Sequence, residues 1–113
     1  SYAAWIKALR DPDNLGQARW HSNVVYQLGI NRRSAVRYLR DMAQRNRDEV
    51  ASHVESAAKR YEGVLEALTR ADTSQDAMAS EDGRNALVGV IEEIVALEGA
   101  AAADMDEAAD AIN

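Results

Sequence analysis

An all-α fold, an up-and-down bundle of four to five antiparallel helices, is predicted by three features of the chain. Apolar residues recur at three- and four-residue spacing along most of its length. No segment reads as a strand, and the only proline is Pro12, so no downstream helix must break for want of an N–H. Alanine supplies much of the apolar share, while phenylalanine is absent and there are two Trp and four Tyr. That composition suits closely packed helices better than a bulky sheet core. With 113 residues the chain makes a single domain, residues 1–113, with one core. It begins at Ser1 and enters a helix at once, and it is expected to be a piece of a longer protein.

Tyr2, Trp5, Ile6 and Leu9 form the first helical stripe, at i, i+3, i+4 and i+7. Asp11 precedes Pro12 and is pushed out of the α region, which ends that helix. Asp13 or Asn14 is placed to cap a second helix, from about Gly16 to Leu28, with Trp20, Val24, Val25 and Leu28 on one side. Gly29 leaves two courses open. It can terminate that helix, with Asn31 capping a new one, or one long helix can cross it at a penalty of ~1 kcal/mol. From Asn31 to about Asn46 the apolar set is Ala35, Val36, Leu39, Met42 and Ala43, with Arg33, Arg37, Arg40 and Gln44 opposite.

Asp48 is the expected cap of the next helix, whose stripe is Val50, Val54, Ala57, Ala58, Tyr61, Val64, Leu65 and Leu68. Residues 71–82 are small and polar, a loop or weak helix with Met78 as the one larger apolar residue. A last helix starts near residues 80–82 and runs to the end on Leu87, Val90, Ile91, Ile94, Leu97, Ala101, Met105, Ala108 and Ile112. Gly89 and Gly99 weaken it unless a neighbouring helix packs close there.

The formal charge is −6, which argues against general nucleic-acid affinity. Its distribution is uneven. Residues 31–47 hold six arginines against Asp41, whereas residues 85–113 hold seven acids and no Lys or Arg. The basic face is expected to lie beside the acidic face between Glu92 and Asp110.

Absences narrow the chemistry. There is no cysteine, which excludes disulfides and thiolate metal sites. No apolar run approaches the ~18 residues of a membrane span, and no signal peptide is visible, so the expected location is the cytoplasm. His21 and His53 are the only histidines, and no glycine-flanked nucleophile or phosphate loop accompanies them. Glu49 and His53, four apart, cannot complete a metal site alone. No cofactor, metal or local catalytic centre is expected.

Two binding surfaces remain. Trp5, Trp20 and Tyr61 could line a small-molecule pocket between helices, as in a sensor domain. Arg33, Arg37 and Arg40 form a basic face that would serve a helix-turn-helix DNA-binding regulator built on residues 19–45. Val24, Val25, Leu28, Gly29, Ile30, Ser34, Ala35, Tyr38 and Leu39 align with that motif without gaps. Val25 stands where a small residue is usual and Val36 where a polar one is, and both fit it poorly.

Taken whole, the run Tyr2-Ala3-Ala4-Trp5-Ile6-Lys7-Ala8-Leu9 belongs to a wider pattern. Asn23, Arg33, Ala35, Tyr38, Leu39, Ala57, Ala58, Tyr61, Val64, Glu93, Leu97 and Glu98 continue it. The chain resembles the helical region that follows the papain-like domain in bacterial and archaeal proteins related to leader-processing cysteine peptidases and the butirosin-pathway acyltransferase. Gly29 and the acidic tail depart from that pattern. The resemblance implies an accessory bundle, a lid or substrate-binding partner, whose catalytic Cys and His lie in another domain. The expected function is therefore a non-catalytic module for binding or assembly. Its partner would be another domain of the same protein or a second copy, with nucleic acid the weaker alternative and no membrane. The last apolar stripe outreaches the first short helix, and a partner would bury the excess.

Overall fold

The computed structural model describes residues 1–11, 13 and 18–112. The chain folds as α1 (Tyr2–Arg10), α2 (Ala18–Gln44), α3 (Asp48–Thr69), α4 (Gln75–Ala79) and α5 (Glu81–Ile112), with no strand among the described residues. It is an all-α bundle, as the spacing predicts. The molecule is long and narrow, 51 × 19 × 17 Å.

Three long helices set that length. Arg40 of α2 meets Glu55 and Glu62 of α3, and His53 and Arg70 of α3 meet Glu107 and Glu93 of α5. Val25 and Gly29, earlier in α2, share a cleft with Leu65 and Leu68, later in α3, so both pairs of helices run antiparallel. α3 packs along both of its neighbours, yet no Cα of α2 comes within 8 Å of α5. The three occupy three corners of a four-cornered bundle. The fourth corner is filled by α1 along one end only. Nine residues reach about 13 Å where α5 spans about 48 Å.

The local chemistry explains each boundary. Ser1 caps α1 by accepting the Ala4 N–H, and the helix ends at Asp11 in an extended conformation. Pro12, Asn14 and Gly16, to which the sequence assigns the break and the next cap, lie outside the described residues. α2 continues through Gly29 without a turn, at negative φ. The apolar positions on both sides of Gly29, Val25 and Leu28 before it and Val36 and Leu39 after it, hold one phase along one helix. Burying them together outweighs a ~1 kcal/mol glycine penalty. Asp48 does not cap α3; Arg47 stands at that position without a side-chain cap, and Asp48 and Glu49 occupy the first turn. There they still oppose the positive end of the helix dipole.

Met78 gives the short α4 its purpose. Its side chain is buried in a cluster with Trp5, Leu9, Leu87, Val88 and Ile91. Arg84 secures the same end by donating to the Leu9 and Met78 carbonyls, both at 3.0 Å, which satisfies acceptors at the ends of α1 and α4. Gly89 and Gly99 face open space, so no helix packs close on them.

A second cluster fills the far end, where Leu39 and Ala43 of α2 meet Val54, Ala57 and Ala58 of α3 and Ala101 and Ala108 of α5. Alanine at these crossings lets the backbones approach.

Candidate functional site

α1 is tied to both of its flanking helices by two polar contacts. The first joins Tyr2, Arg32 and Glu98. Arg32 Nε donates to Glu98 Oε2, and its Nη2 donates to Glu98 Oε1 at 3.1 Å and to the Tyr2 hydroxyl at 3.0 Å. Tyr2 in turn donates to Glu98 Oε1 at 2.7 Å. Burial, reinforced by Glu98, pushes the Tyr2 phenol up to about 12. The bond to Glu98 raises the Arg32 pKa above its ordinary value. This three-way contact ties α2 to α1 and α5, from whose backbones that of α2 stays apart.

The second contact is deeper. Trp5 Nε1 donates to His21 Nδ1 at 2.9 Å, and both side chains are buried. Accepting that bond requires an unprotonated Nδ1, and burial lowers the His21 pKa from its usual 6.5. The neutral imidazole thus has its proton on Nε2. Trp20 stands edge-on to the same ring, with centroids 5.1 Å apart.

Between the two contacts a cleft of about 480 Å³ opens between α1 and α2. Ser1, Tyr2, Ala4 and Trp5 line it from the α1 side and Trp20, Val24, Leu28 and Arg32 from α2, with Arg32 bonded to Tyr2 across it. The structure brings Trp5 and Trp20 onto this cleft. Tyr61 is not part of it. That residue lies on α3, packed between the clusters that join α3 to α5, because α3 occupies the corner away from the cleft.

The basic face is divided. Arg33 and Arg37 are exposed, with no acidic partner among the described residues. Arg40 is drawn to α3 by Glu55 and Glu62, and its pKa rises chiefly through the bond to Glu62. The expected apposition with the acidic face of the last helix reduces to a single pair, Arg32 with Glu98. Arg33, Arg37 and Arg40 therefore do not act as one surface. The helix-turn-helix arrangement of residues 19–45 is also not formed, since a continuous α2 replaces its turn and Val25 and Val36 are half-buried.

The chain matches no protein-family model, no curated protein and no solved structure.

His21 and Glu98 are site residues that the sequence does not assign to a pocket or contact, whereas Tyr2 stands among the aromatics able to line a pocket and Arg32 beside Arg33 and Arg37 as a nucleic-acid contact; the structure instead joins Arg32 to Tyr2 and Glu98. A signal for Arg32 and Glu98 was present. Arg32 falls on the apolar phase of α2, with Val25, Leu28 and Leu39, and Glu98 falls on that of α5, with Ile91, Ile94, Ala101 and Met105. One cation and one anion, each interrupting an apolar stripe, mark an inward-facing pair. His53 approaches Glu107 at 3.1 Å rather than Glu49. No group of three or more metal-ligating side chains occurs among the described residues.

Proposed function

We propose that the chain is a non-catalytic helical module that docks a helix in the uncovered half of the α2–α5 groove. One observation carries this. Past Tyr2, where α1 begins, the same faces of α2 and α5 continue without a helix over them. Ala35, Tyr38 and Met42 continue the face of α2, and Ala102, Met105, Ala109 and Ile112 that of α5. Tyr38 and Ile112 are each 64% exposed. The open length of α2 beyond Arg32 is about 18 Å, room for a helix of about 12 residues in line with α1.

Flexible methionines at such a face adapt to a partner's side chains. Asp106 and Asp110 lie along the α5 side, so the occupant would carry Lys or Arg beside its apolar stripe. The occupant is another domain of the same protein. In a protein of the kind the sequence resembles, it would belong to the papain-like part.

The test is light scattering together with titration of an environment-sensitive apolar dye, on the wild type and on Tyr38→Lys/Ile112→Lys. A folded monomer that binds dye, with binding lost in the double variant, is expected. A stable dimer would assign the groove to a second copy. A monomer that binds no dye would sink the docking role. No helix among the described residues is long and apolar enough to cross a membrane.

A further inference from the structure

We propose that the α1–α2 cleft binds a small apolar carboxylic acid, its body against Trp20, Val24 and Leu28 and its carboxylate on the Nη1 edge of Arg32. This site lies on the other side of the Tyr2–Arg32–Glu98 contact from the docking groove and does not depend on it.

The walls define the body of the ligand. The cleft's volume is within the range of small-molecule sites, and its sides are aromatic and aliphatic. Trp20 is 47% exposed, yet its edge-on contact with the buried His21 ring restrains it. A restrained, half-bare indole offers stacking area at little further cost in side-chain entropy.

The Arg32 end defines the head group. Guanidinium has five N–H donors and no acceptor, so it selects an anion or carbonyl oxygen over a cation. Glu98 and Tyr2 occupy Nε and Nη2 of Arg32. The two N–H groups of Nη1 have no acceptor among the described residues. Glu98 therefore holds the guanidinium by one edge and leaves the other fixed and available. A ligand carboxylate would meet donors already in place.

The Glu98 charge opposes an anion, but the Tyr2 hydroxyl donates to it and offsets part of that charge. The wider field of α2 is positive, with five arginines against Asp41 and no other acid. The polar lining residues are Ser1, Tyr2 and Arg32, and the remaining five are apolar or aromatic, which suits a ligand with one polar end better than a sugar or nucleotide with polar groups along its length.

The test uses the intact chain with three probes of one shape: 3-phenylpropionate, 3-phenylpropanamide and 3-phenylpropylamine. Titration calorimetry and amide NMR are the readouts. Saturable binding of the carboxylate is expected, with the amide and amine at least about tenfold weaker. Shift changes should concentrate at Trp20, Val24, Leu28 and Arg32. Trp20→Ala should weaken binding several-fold, and Arg32→Gln should erase the preference for carboxylate over amide. Loss of the Glu98 partner could unfold Arg32→Gln. Val24→Glu therefore serves as the second variant, placing a like charge at the cleft wall without touching that pair, and should weaken the carboxylate at least about tenfold. Three results would each overturn the proposal: no saturable binding by folded wild type at about 10 mM probe, equal affinity for all three probes, or shift changes outside the cleft.

Discussion

Replacing Gly29 with alanine is expected to stabilise the protein. Gly29 is buried in the middle of α2 at negative φ, so alanine can adopt its conformation. An added Cβ meets only Arg33 Nη2, at 3.9 Å, an ordinary contact. The gain is then the helix-propensity difference, ~0.8–1 kcal/mol, part of it from fewer conformations in the unfolded chain. At ~2.1 cal/mol/K per residue, the unfolding entropy of this chain is about 0.24 kcal/mol/K, so the melting temperature should rise by about 4 °C. Thermal unfolding followed by circular dichroism at two pH values, with urea midpoints alongside, measures it. Were Gly29 the turn of a helix-turn-helix at positive φ, alanine would cost about 1 kcal/mol instead. A fall in melting temperature would therefore refute the continuous helix. Gly83→Ala is the internal contrast. Its Cβ would stand 2.0 Å from the Ala77 carbonyl oxygen and 2.6 Å from its carbon. Backbone cannot yield as a side chain does, so α4 must lift from α5, at a cost of about 1–3 kcal/mol.

Trp5→Phe should cost about 2 kcal/mol, because it strands the buried His21 acceptor, while Trp5→Phe/His21→Leu should cost less than the two single changes summed, by a double-mutant cycle. His21 has a lower pKa folded than unfolded, so its contribution is whole above about pH 6.5 and declines as the pH falls below that value. His21→Leu should flatten the melting temperature between about pH 7 and pH 5, before the carboxylates titrate. Neighbouring arginines should differ sharply. Arg32→Ala leaves Glu98 half-buried with the Tyr2 hydroxyl but no cation and should cost about 1–3 kcal/mol in urea unfolding, whereas the exposed Arg33→Ala should change stability by less than about 0.5 kcal/mol.

The sequence carries the helices well and their neighbours poorly. The stripes from Tyr2 to Leu9, Val50 to Leu68 and Leu87 to Ile112 place α1, α3 and α5 to within a residue or two, because each apolar phase has a single helical solution. Gly29 was ambiguous because a ~1 kcal/mol preference is small beside the burial of the apolar residues around it, and that burial depends on α3. Arg40 shares a helical face with Arg33 and Arg37, but its proximity to Glu55 and Glu62 is a property of the interhelical angle, which periodicity does not contain. Residue type alone groups Tyr61 with Trp5 and Trp20, and topology sends it to another corner. Trp5 and Trp20 share a cleft because α1 and α2 run antiparallel, with Trp5 beside His21 and Tyr2 beside Arg32.

The link from Tyr2 to Glu98 spans 96 positions of the chain, and the one from Arg32 to Glu98 spans 66. By contrast, α2 with α3, and α3 with α5, are hairpins between near neighbours in sequence, a topology that assembles in microseconds to milliseconds. Closing nearly the whole chain on itself is entropically the dearest contact in the molecule, so docking of α1 belongs late, after the hairpins have brought Arg32 and Glu98 together. Removing the Tyr2 hydroxyl should then hasten unfolding while leaving the refolding rate almost unchanged. The α1–α2 cleft would arise only with that final step, and a cleft ligand would bind the completed fold and none of its precursors.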